Sequence, residues 1–600
     1  MTLQESKSNN PPKNEFEKIE KPDLFHKLND LKSDGARFVH ITGRDIGDKI
    51  ELNYHFEKGM DITTLIVDHP KTDELLSITS IFPASFLAEN ELQDHLKVKV
   101  SGLSVDFGGK LLRIAAAEQD TLLKPAVGPQ PFIQRFMGKC REECPGDVNA
   151  PKYIRQIAEG DPQGGYNTVL EAAALPACLG RVCFAPCQDA CRQERNDTSI
   201  QIRLLKRYTA DSMPNLKRDV KRAPLNGKKI AIVGGGPTGV GCAFHLGMMG
   251  YDVTVLEKDE RCGGAMLWGI PKYRLPKDVL EDEVQARFLE AGVTLKANVE
   301  VKDLSALQSE YDGVFVAIGA QGGFGLRIEG EDAEGVMDFR DILRAVNVEN
   351  KTPNLGKKVA VIGGGNSSMD ACRVAKRLGS ESVTLYYRRT AREMPASAHE
   401  VHGSMEEGIH FEYLGAPVKI EPGKPLKVTF VKMKLGEPDT SGRQRPEPIE
   451  GSEYVVEVDT LITAVGQSVV IPESYGMAVS RRGAIVVDEN YKTNLDNVWA
   501  GGDVVNGPRS VIESLSDGRK TASAIDKHFG GNGWPDAFID MTEYVSRPID
   551  LNERKKMPVV PVRELNPESR VKNFDEIELG YNKEEALREA NRCWKCDWNE

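Results

Sequence analysis

Residues 228–258 read KKIAIVGGGPTGVGCAFHLGMMGYDVTVLEK, and their punctuation decides the fold class. Ile230 to Val233 is an apolar run long enough for a buried strand, and Val253 to Leu256 is a second. Between them Gly234, Gly236 and Gly239 carry the G-x-G-x-x-G spacing, which predicts a tight turn and a helix whose first N–H groups meet a pyrophosphate. Glu257 closes the second strand, where a carboxylate can accept from both hydroxyls of an adenosine ribose. An acid there disfavours a phosphate on that ribose, so FAD or NAD fits better than NADP. Gly234, Gly236, Pro237, Gly239 and Glu257 are therefore candidate cofactor-binding residues. A glycine-rich turn in some other α/β protein is the competing reading, and strand, helix and acid together weigh against it. Ile230 to Gly250 is nearly uncharged, but its glycines and turn punctuation argue against a membrane span.

The pattern recurs at 357–389, KKVAVIGGGNSSMDACRVAKRLGSESVTLYYRR. Gly363, Gly365 and Ser368 make the second fingerprint, with a small residue in the third place. Where the first copy ends in Glu257, this one ends in Tyr386-Tyr387-Arg388-Arg389. Guanidinium groups suit a 2′-phosphate as a carboxylate does not, so NADPH is favoured, with NADH possible and Arg392 able to join. DTLITAVGQ, containing Ala464 to Gly466, reads as the returning strand of this second unit, as FVAIGA at 315–320 does for the first. In NVWAGGDVVNGPRSVIESLSDGRK, Gly502 and Asp503 end a strand before a helix, an arrangement that suits ribityl and pyrophosphate contacts of FAD.

The chain has 600 residues, 40% of them hydrophobic, and a net charge of -12. That length suggests about four domains, and the charge argues against a general nucleic-acid binder. The first twenty residues lack the layout of a secretory signal and read as a disordered lead, so the expected location is cytoplasmic, with peripheral attachment to a membrane complex left open. Of eleven cysteines, six fall between 140 and 191 and two, Cys593 and Cys596, at the far C-terminus. Such clusters read as metal or redox sites rather than structural disulfides. Cys140 and Cys144, with Pro145 following, and Cys178, Cys183, Cys187 and Cys191 suit iron-sulfur ligation, structural zinc being the rival reading. Cys262 stands alone beside Gly263 and Gly264, with no second cysteine near enough for a disulfide relay.

In residues 22–115, Asp23 to Leu31 is amphipathic, while Phe38 to Thr42, Ile50 to Phe56 and Thr63 to Asp68 look like strands. FVHITGRDIGDKIELNYHF and the SITSIFPASFLAENELQDHL after it resemble the peripheral-arm subunit of NADH:quinone oxidoreductase (complex I) that carries no cofactor, which implies a docking module. Glu89-Asn90-Glu91-Leu92-Gln93-Asp94 departs from that family's pattern by losing its arginine, and an unrelated small α+β domain is the alternative. A Pro/Gly linker, Lys124 to Pro131, follows.

KCREECPGDVNAPKYI, LPACLGRVCFAPCQDACRQERNDTSIQIRLLKRY and the glycine stretch after them resemble the small subunit of glutamate synthase, from about 132 to 535. The same module occurs in dihydropyrimidine dehydrogenase and in NADPH-ferredoxin bifurcating transhydrogenases. The resemblance implies FAD, NADPH and two 4Fe-4S clusters, and places Gly263, Gly264 and Arg274 near the flavin. It puts Asn366 and Asp370 in the nucleotide phrase and Ala464 and Gly466 at the nicotinamide nucleotide. Two cysteines of the family's first run, expected near Phe132 and Arg135, are absent, while EEALREANRCWKCD at the C-terminus supplies a C-x-x-C. One or two clusters are therefore expected. If the tail folds back, Cys593 and Cys596 join Cys140 and Cys191 around one cluster, and Cys144, Cys183 and Cys187 hold a second whose fourth ligand is unnamed. Cys178 is displaced by one residue from the family's cysteine. A separate metal site, or a bridge to a partner chain, is the other use of the C-terminal pair.

The expected architecture is α/β: two nested Rossmann-like dinucleotide-binding domains, for FAD and NADPH, preceded by a helical iron-sulfur domain and a small N-terminal α+β domain. The boundaries are a lead at 1–21, a complex I-like docking domain at 22–123, the iron-sulfur domain at 132–225, the FAD domain at 226–345 and 471–535, the NADPH domain at 346–470 and a tail at 536–600. The expected function is an NAD(P)H oxidoreductase that passes electrons through FAD and iron-sulfur centres, in either direction, to partner subunits of a redox complex or a ferredoxin-like acceptor. Hydride transfer needs ring positioning more than an acid or base, so no catalytic side chain is assigned. The alternatives are a glutamate synthase small subunit serving an amidotransferase, and a non-catalytic nucleotide-binding scaffold.

Overall fold

The computed structural model describes residues 14–58, 61–96, 98–103, 138–213, 222–439, 442–533, 554 and 557–596. The expected linker at 124–131, positions 132 and 135, and the tail up to 553 lie outside the described residues. The chain divides into two compact units, 1–131 and 132–600.

In the first unit, strands Arg37–Asp45, Lys49–Lys58 and Asp61–Pro70 form an antiparallel sheet. Ile50, Leu52, Tyr54 and Phe56 alternate onto its buried face, which packs with Leu24 and Leu28 of helix Leu24–Ser33. Residues 14–18, expected within a disordered lead, instead form a strand paired in parallel with Asp61–Pro70. Backbone pairing along an open sheet edge needs little apolar content, and the five residues NEFEK carry little.

The second unit contains two five-stranded parallel sheets of matching design. In the first the order is Val498–Ala500, Gly313–Val316, Lys229–Val233, Asp252–Leu256, Thr294–Lys296. In the second it is Val336–Asp338, Thr460–Thr463, Lys358–Ile362, Ser382–Tyr387, His410–Tyr413. KIAIV and KVAVI are buried after their first residue, as strands covered on both faces must be. Each opens into its glycine turn and a helix, Pro237–Met248 or Asn366–Arg377. An antiparallel sheet of Gly415–Glu421, Leu426–Pro438, Gln444–Pro448 and Tyr454–Val458 interrupts the second unit before its last strand. It joins the parallel sheet through Phe430, whose ring stacks on Tyr386 at 4.1 Å. Gly322–Gly323 pairs with Gln467–Ser468 where the chain leaves one nucleotide sheet and returns from the other.

Ahead of the first sheet lie helices Ala150–Ala158, Pro162–Ala172, Pro176–Val182 and Ile202–Asp211. Asn149 and Asp161 cap the first two by accepting from Lys152 and Gly164 N–H, each just before a proline-initiated turn. Among the described residues no helix is long and apolar enough to cross a membrane.

The C-terminal segment 557–596 is tied to the body by charge. Arg570, fully buried, donates to Glu407, Glu406, Glu564 and the Gly403 carbonyl. Arg203 grips Glu578 with both Nη atoms at 2.8 and 2.6 Å, and Arg181 Nε reaches Glu576 at 2.8 Å. Glu589, in helix Lys583–Asn591, accepts from the Gln201 and Val560 N–H groups. Glu407 also takes Arg373 and Arg377, so one carboxylate faces three guanidinium groups.

Burial alone would raise Glu407, but the Arg377 and Arg373 hydrogen bonds hold it down at about 2. Its contribution is thus complete above the ordinary value of 4.5 and is lost as the pH falls through about 2. Glu407→Gln is expected to cost about 3–5 kcal/mol at pH 7 by leaving buried cations unpaired. Urea unfolding checks this, and the gap from the wild type should shrink steadily below about pH 4.5.

Candidate functional site

The first glycine turn is compressed to the limit of backbone contact. A Cβ on Gly239 would run into the Gly234 carbonyl oxygen, and one on Gly264 would meet the Gly236 Cα at 2.9 Å. Gly234 has φ +104° and lies against the Ala317 carbonyl, so no side chain fits there either. Helix Pro237–Met248 starts without a side-chain cap, its N-cap being Gly236. Its first N–H groups therefore remain for a ligand, which is the donor set a pyrophosphate requires.

Gly234, Gly236, Pro237 and Ala317 line a cavity of about 430 Å³ with Thr238, Glu257, Gly264, Trp268, Arg274, Gln467 and Asp503. Glu257 accepts from Gly235 N–H at 2.7 Å and Asp259 N–H at 2.9 Å, which fixes its carboxylate under the turn. Burial pushes Glu257 upward against those two bonds. Asp503 is pushed up to about 6, again by burial, while accepting from Arg509 N–H. Gly502 has φ +76° and donates to Asp517, an acid that no sequence motif singles out. Gly263 has φ +134° and donates to the Gly235 carbonyl. Cys262, pushed up to about 12 by burial, packs beneath Gly235.

The second glycine turn repeats the device. A Cβ on Gly363 would strike the Ala464 carbonyl, to which Ser368 Oγ donates at 3.3 Å. Gly365 has open space around it and caps helix Asn366–Arg377 without a side-chain bond. Asn366 Oδ1 accepts from Ser397 N–H at 3.0 Å, and Gly466 holds φ +120°. The two arginines at the strand end part company. Arg389 is buried, donating to the Gln444 carbonyl and to Asp439 at 2.8 Å, whereas Arg388 and Arg392 are exposed. The antiparallel insertion carries Gln444 and reaches Asp439 beside it, so the tandem spacing alone could not separate the pair.

Arg274 borders the cavity at the first glycine turn but spends its guanidinium across the two nucleotide units. It donates to Asp370 at 2.9 Å and pairs with Glu400 at 2.7 Å. Burial raises Asp370, and Arg274 opposes that shift. Glu400 carries no motif beyond lying three residues after its cap Ser397, so nothing in the linear spacing marks it.

Cys140, Cys191, Cys593 and Cys596 line one small apolar pocket with Pro151, Ile154, Ile200, Ile202 and Trp594. Lys595, between the last two, has φ 50° and donates its N–H to the Cys593 sulfur at 3.4 Å. Cys144, Cys183 and Cys187 lie near one another, and Cys187 lies near Cys140 as well. Cys178 belongs to neither, since its N–H donates to buried Glu283 and its thiol is raised by burial and by that acid. Among the described residues only His399, Glu564 and Glu578 bring ligand atoms within 4.8 Å of one another. Arg203 and Arg570 already neutralise those two acids, which makes the trio an ion-pair knot. Among the described residues no three of these thiols have all their sulfurs within 4.8 Å of one another, wider than the about 3.8 Å at which tetrahedral zinc would hold them.

The comparisons agree with this geometry. Residues 202–309 and 228–518 match the pyridine nucleotide-disulphide oxidoreductase family, and 134–217 match domain II of dihydropyrimidine dehydrogenase, a 4Fe-4S cluster domain. The chain belongs to the pyridine nucleotide-disulphide oxidoreductase family. It is 34% identical over 512 residues to the NADPH-Fe(3+) oxidoreductase subunit beta of Geobacter sulfurreducens, covering 78% of this chain and 76% of that one. It is 35% identical over 515 residues to the NADP(+)-dependent formate dehydrogenase subunit beta of Moorella thermoacetica, covering 79% and 72%. The small chain of the NADPH glutamate synthase of Escherichia coli is 32% identical over 413 residues, covering 64% and 87%. This oxidoreductase thus combines FAD and NAD(P)H sites with a 4Fe-4S domain.

Gly239→Val is expected to remove FAD while the sheets persist, because the new side chain fills the space against the Gly234 carbonyl. Flavin absorbance per chain, read beside far-ultraviolet circular dichroism, checks it.

Proposed function

We propose that this chain is the NADPH-oxidising electron-transfer subunit of a multi-subunit redox enzyme. The observation that carries the reading is the cavity wall: Val182 and Phe184, which flank Cys183, line the same cavity as the first glycine turn. A cluster on Cys183 would then stand beside the flavin. When bound there, FAD supplies the conversion between a two-electron hydride donor and one-electron carriers.

The chain's own residues position and insulate. Gly234, Gly236, Pro237, Gly239, Gly263, Gly264 and Gly502 allow backbone to approach the FAD, with Glu257 at its ribose and Asp503 at its ribityl chain. Gly363, Gly365, Asn366, Ser368, Ala464 and Gly466 do the same for NADPH. Arg388, exposed and joined by Arg392, takes the 2′-phosphate, while Arg389 supports the loop through Asp439. Arg274 holds the two nucleotide units in register through Asp370 and Glu400. Cys144, Cys183 and Cys187 hold the cluster beside the flavin. Cys140, Cys191, Cys593 and Cys596 hold a second cluster, reached through the tail.

Two relatives named as beta subunits align along 78% and 79% of this chain, against 64% for the glutamate synthase small chain. That difference favours a partner redox subunit over an amidotransferase. The unit at 1–131, with its own core, serves as the docking module.

Replacing Cys593 and Cys596 together by serine is expected to lower iron from about eight to about four atoms per chain, with FAD content unchanged. Unchanged iron would sink the tail-ligand reading. Arg388→Ala is expected to raise KM for NADPH about tenfold or more, the loss of roughly one charge-assisted contact, and to leave KM for NADH alone. Steady-state kinetics with both nucleotides would decide it.

A further inference from the structure

At the pocket of Cys140, Cys191, Cys593 and Cys596 a whole carboxamide is buried without a protein partner. Of the successive residues Arg192, Gln193 and Glu194, the first and third are exposed, whereas Gln193 is only 1% exposed. Gln193 lines that pocket, and neither its amide nitrogen nor its amide oxygen has a hydrogen-bond partner among the described residues. Its backbone is fixed there. Cys191 caps the short helix Arg192–Arg195, the Cys191 carbonyl accepts from Glu194 N–H at 3.1 Å, and the Gln193 carbonyl accepts from Asn196 and Asp197 N–H at 2.9 and 3.1 Å.

An amide buried with both ends unpaired is costly, so such a side chain persists where a bound group completes it. Other glutamines of the helical region are satisfied by protein: Gln188 Oε1 accepts from Arg203 N–H at 2.9 Å, and Gln156 Oε1 from Thr168 Oγ1 at 2.8 Å. Around Gln193 the pocket walls include Pro151, Ile154, Ile200 and Ile202, whose side chains have no polar atom to offer. Sulfur is the partner at hand. Thiolates and cluster sulfides accept N–H bonds, and Lys595 N–H already donates to the Cys593 sulfur at 3.4 Å. Four thiols complete the irons of a 4Fe-4S cube, which leaves no open iron for the amide oxygen. The amide nitrogen is the end that fits.

We propose that Gln193 donates its amide N–H to a sulfur of the cluster held by Cys140, Cys191, Cys593 and Cys596, and thereby raises that centre's reduction potential. This rests on the reading that those four cysteines bind a cluster. A hydrogen bond to a cluster sulfur offsets negative charge, and it strengthens when the cluster gains an electron, so the reduced form is favoured. In a buried, largely apolar pocket one such donor has more effect than it would at a wet surface.

The test uses the full-length holoprotein, reconstituted anaerobically, as wild type, Gln193→Met, Gln193→Glu and the double variant Cys593→Ser, Cys596→Ser. Iron and FAD are counted, and each cluster is titrated by electron paramagnetic resonance. Gln193→Met keeps the side-chain length and loses the donor, and it should retain the wild-type iron, about eight atoms, and its FAD. One cluster alone should become harder to reduce in it, by about tenfold in the reduction equilibrium, which is about 59 mV for a one-electron couple. That cluster's signal should be the one missing from the double-serine protein. Gln193→Glu, of the same shape without the N–H, should lower the same potential at least as far. Unmoved potentials in Gln193→Met, or a shift confined to the cluster that survives the double-serine change, would overturn the donor. A loss of about four irons in Gln193→Met would overturn it in favour of a ligand. A double-serine protein with its iron and cluster signals intact would instead overturn the four-cysteine cluster itself.

Discussion

Glu407 meets Arg373, Arg377 and Arg570 in the interior of the second unit, and much of the molecule hangs on that contact. Charges removed from water must find partners with good geometry or they unfold what contains them. Arg373 and Arg377 come from the nucleotide-binding helix Asn366–Arg377, while Arg570 comes from the C-terminal segment. The same segment continues through Glu576 and Glu578 onto Arg181, Arg203 and Arg207, and ends with Cys593 and Cys596 beside Cys140 and Cys191. An ionic clamp on one nucleotide unit thus fixes where two thiols stand among helices far earlier in the chain.

That arrangement gives the tail two duties. It buries Arg592, which donates to the tail's own Glu589 and to the Thr198 carbonyl of the helical region, and it completes a cysteine pocket that the helical region holds only in part. Buried ion pairs contribute little net stability but discriminate strongly against alternative placements, since any other docking strands a charge. Placement is what a cluster site needs, because each sulfur must be held where the next one can share the same group.

At the two glycine turns the constraint is steric rather than electrostatic. Gly239 against the Gly234 carbonyl, and Gly363 against that of Ala464, bring a strand, a turn and a helix close enough that only backbone lies between ligand and sheet. The polar side chains nearby mostly bond to protein. Glu257 is fixed by two N–H groups, Arg274 by Asp370 and Glu400, and Arg389 by Asp439. Rigid polar groups of this kind cost nothing to reorganise when electrons move.

Glycine spacing, apolar runs and a terminal acid or arginine pair are local features, because they answer to backbone sterics within some thirty residues. For that reason both glycine turns, their parallel strands and the helices that follow them were legible in the sequence alone. The tail's C-x-x-C also stands out there, as an expectation carried by resemblance, and the structure places Cys593 and Cys596 in one pocket with Cys140 and Cys191. The strand at 14–18, the diversion of Arg389 to Asp439 and the bridging of Arg274 to Glu400 were not legible there. Each depends on which charge or sheet edge arrives from a distant segment, and no periodicity records that. The sequence by itself determined where the two glycine turns and their strands fall; the tertiary structure decided which charged side chains beside them are spent on protein partners, because buried charge is assigned by packing.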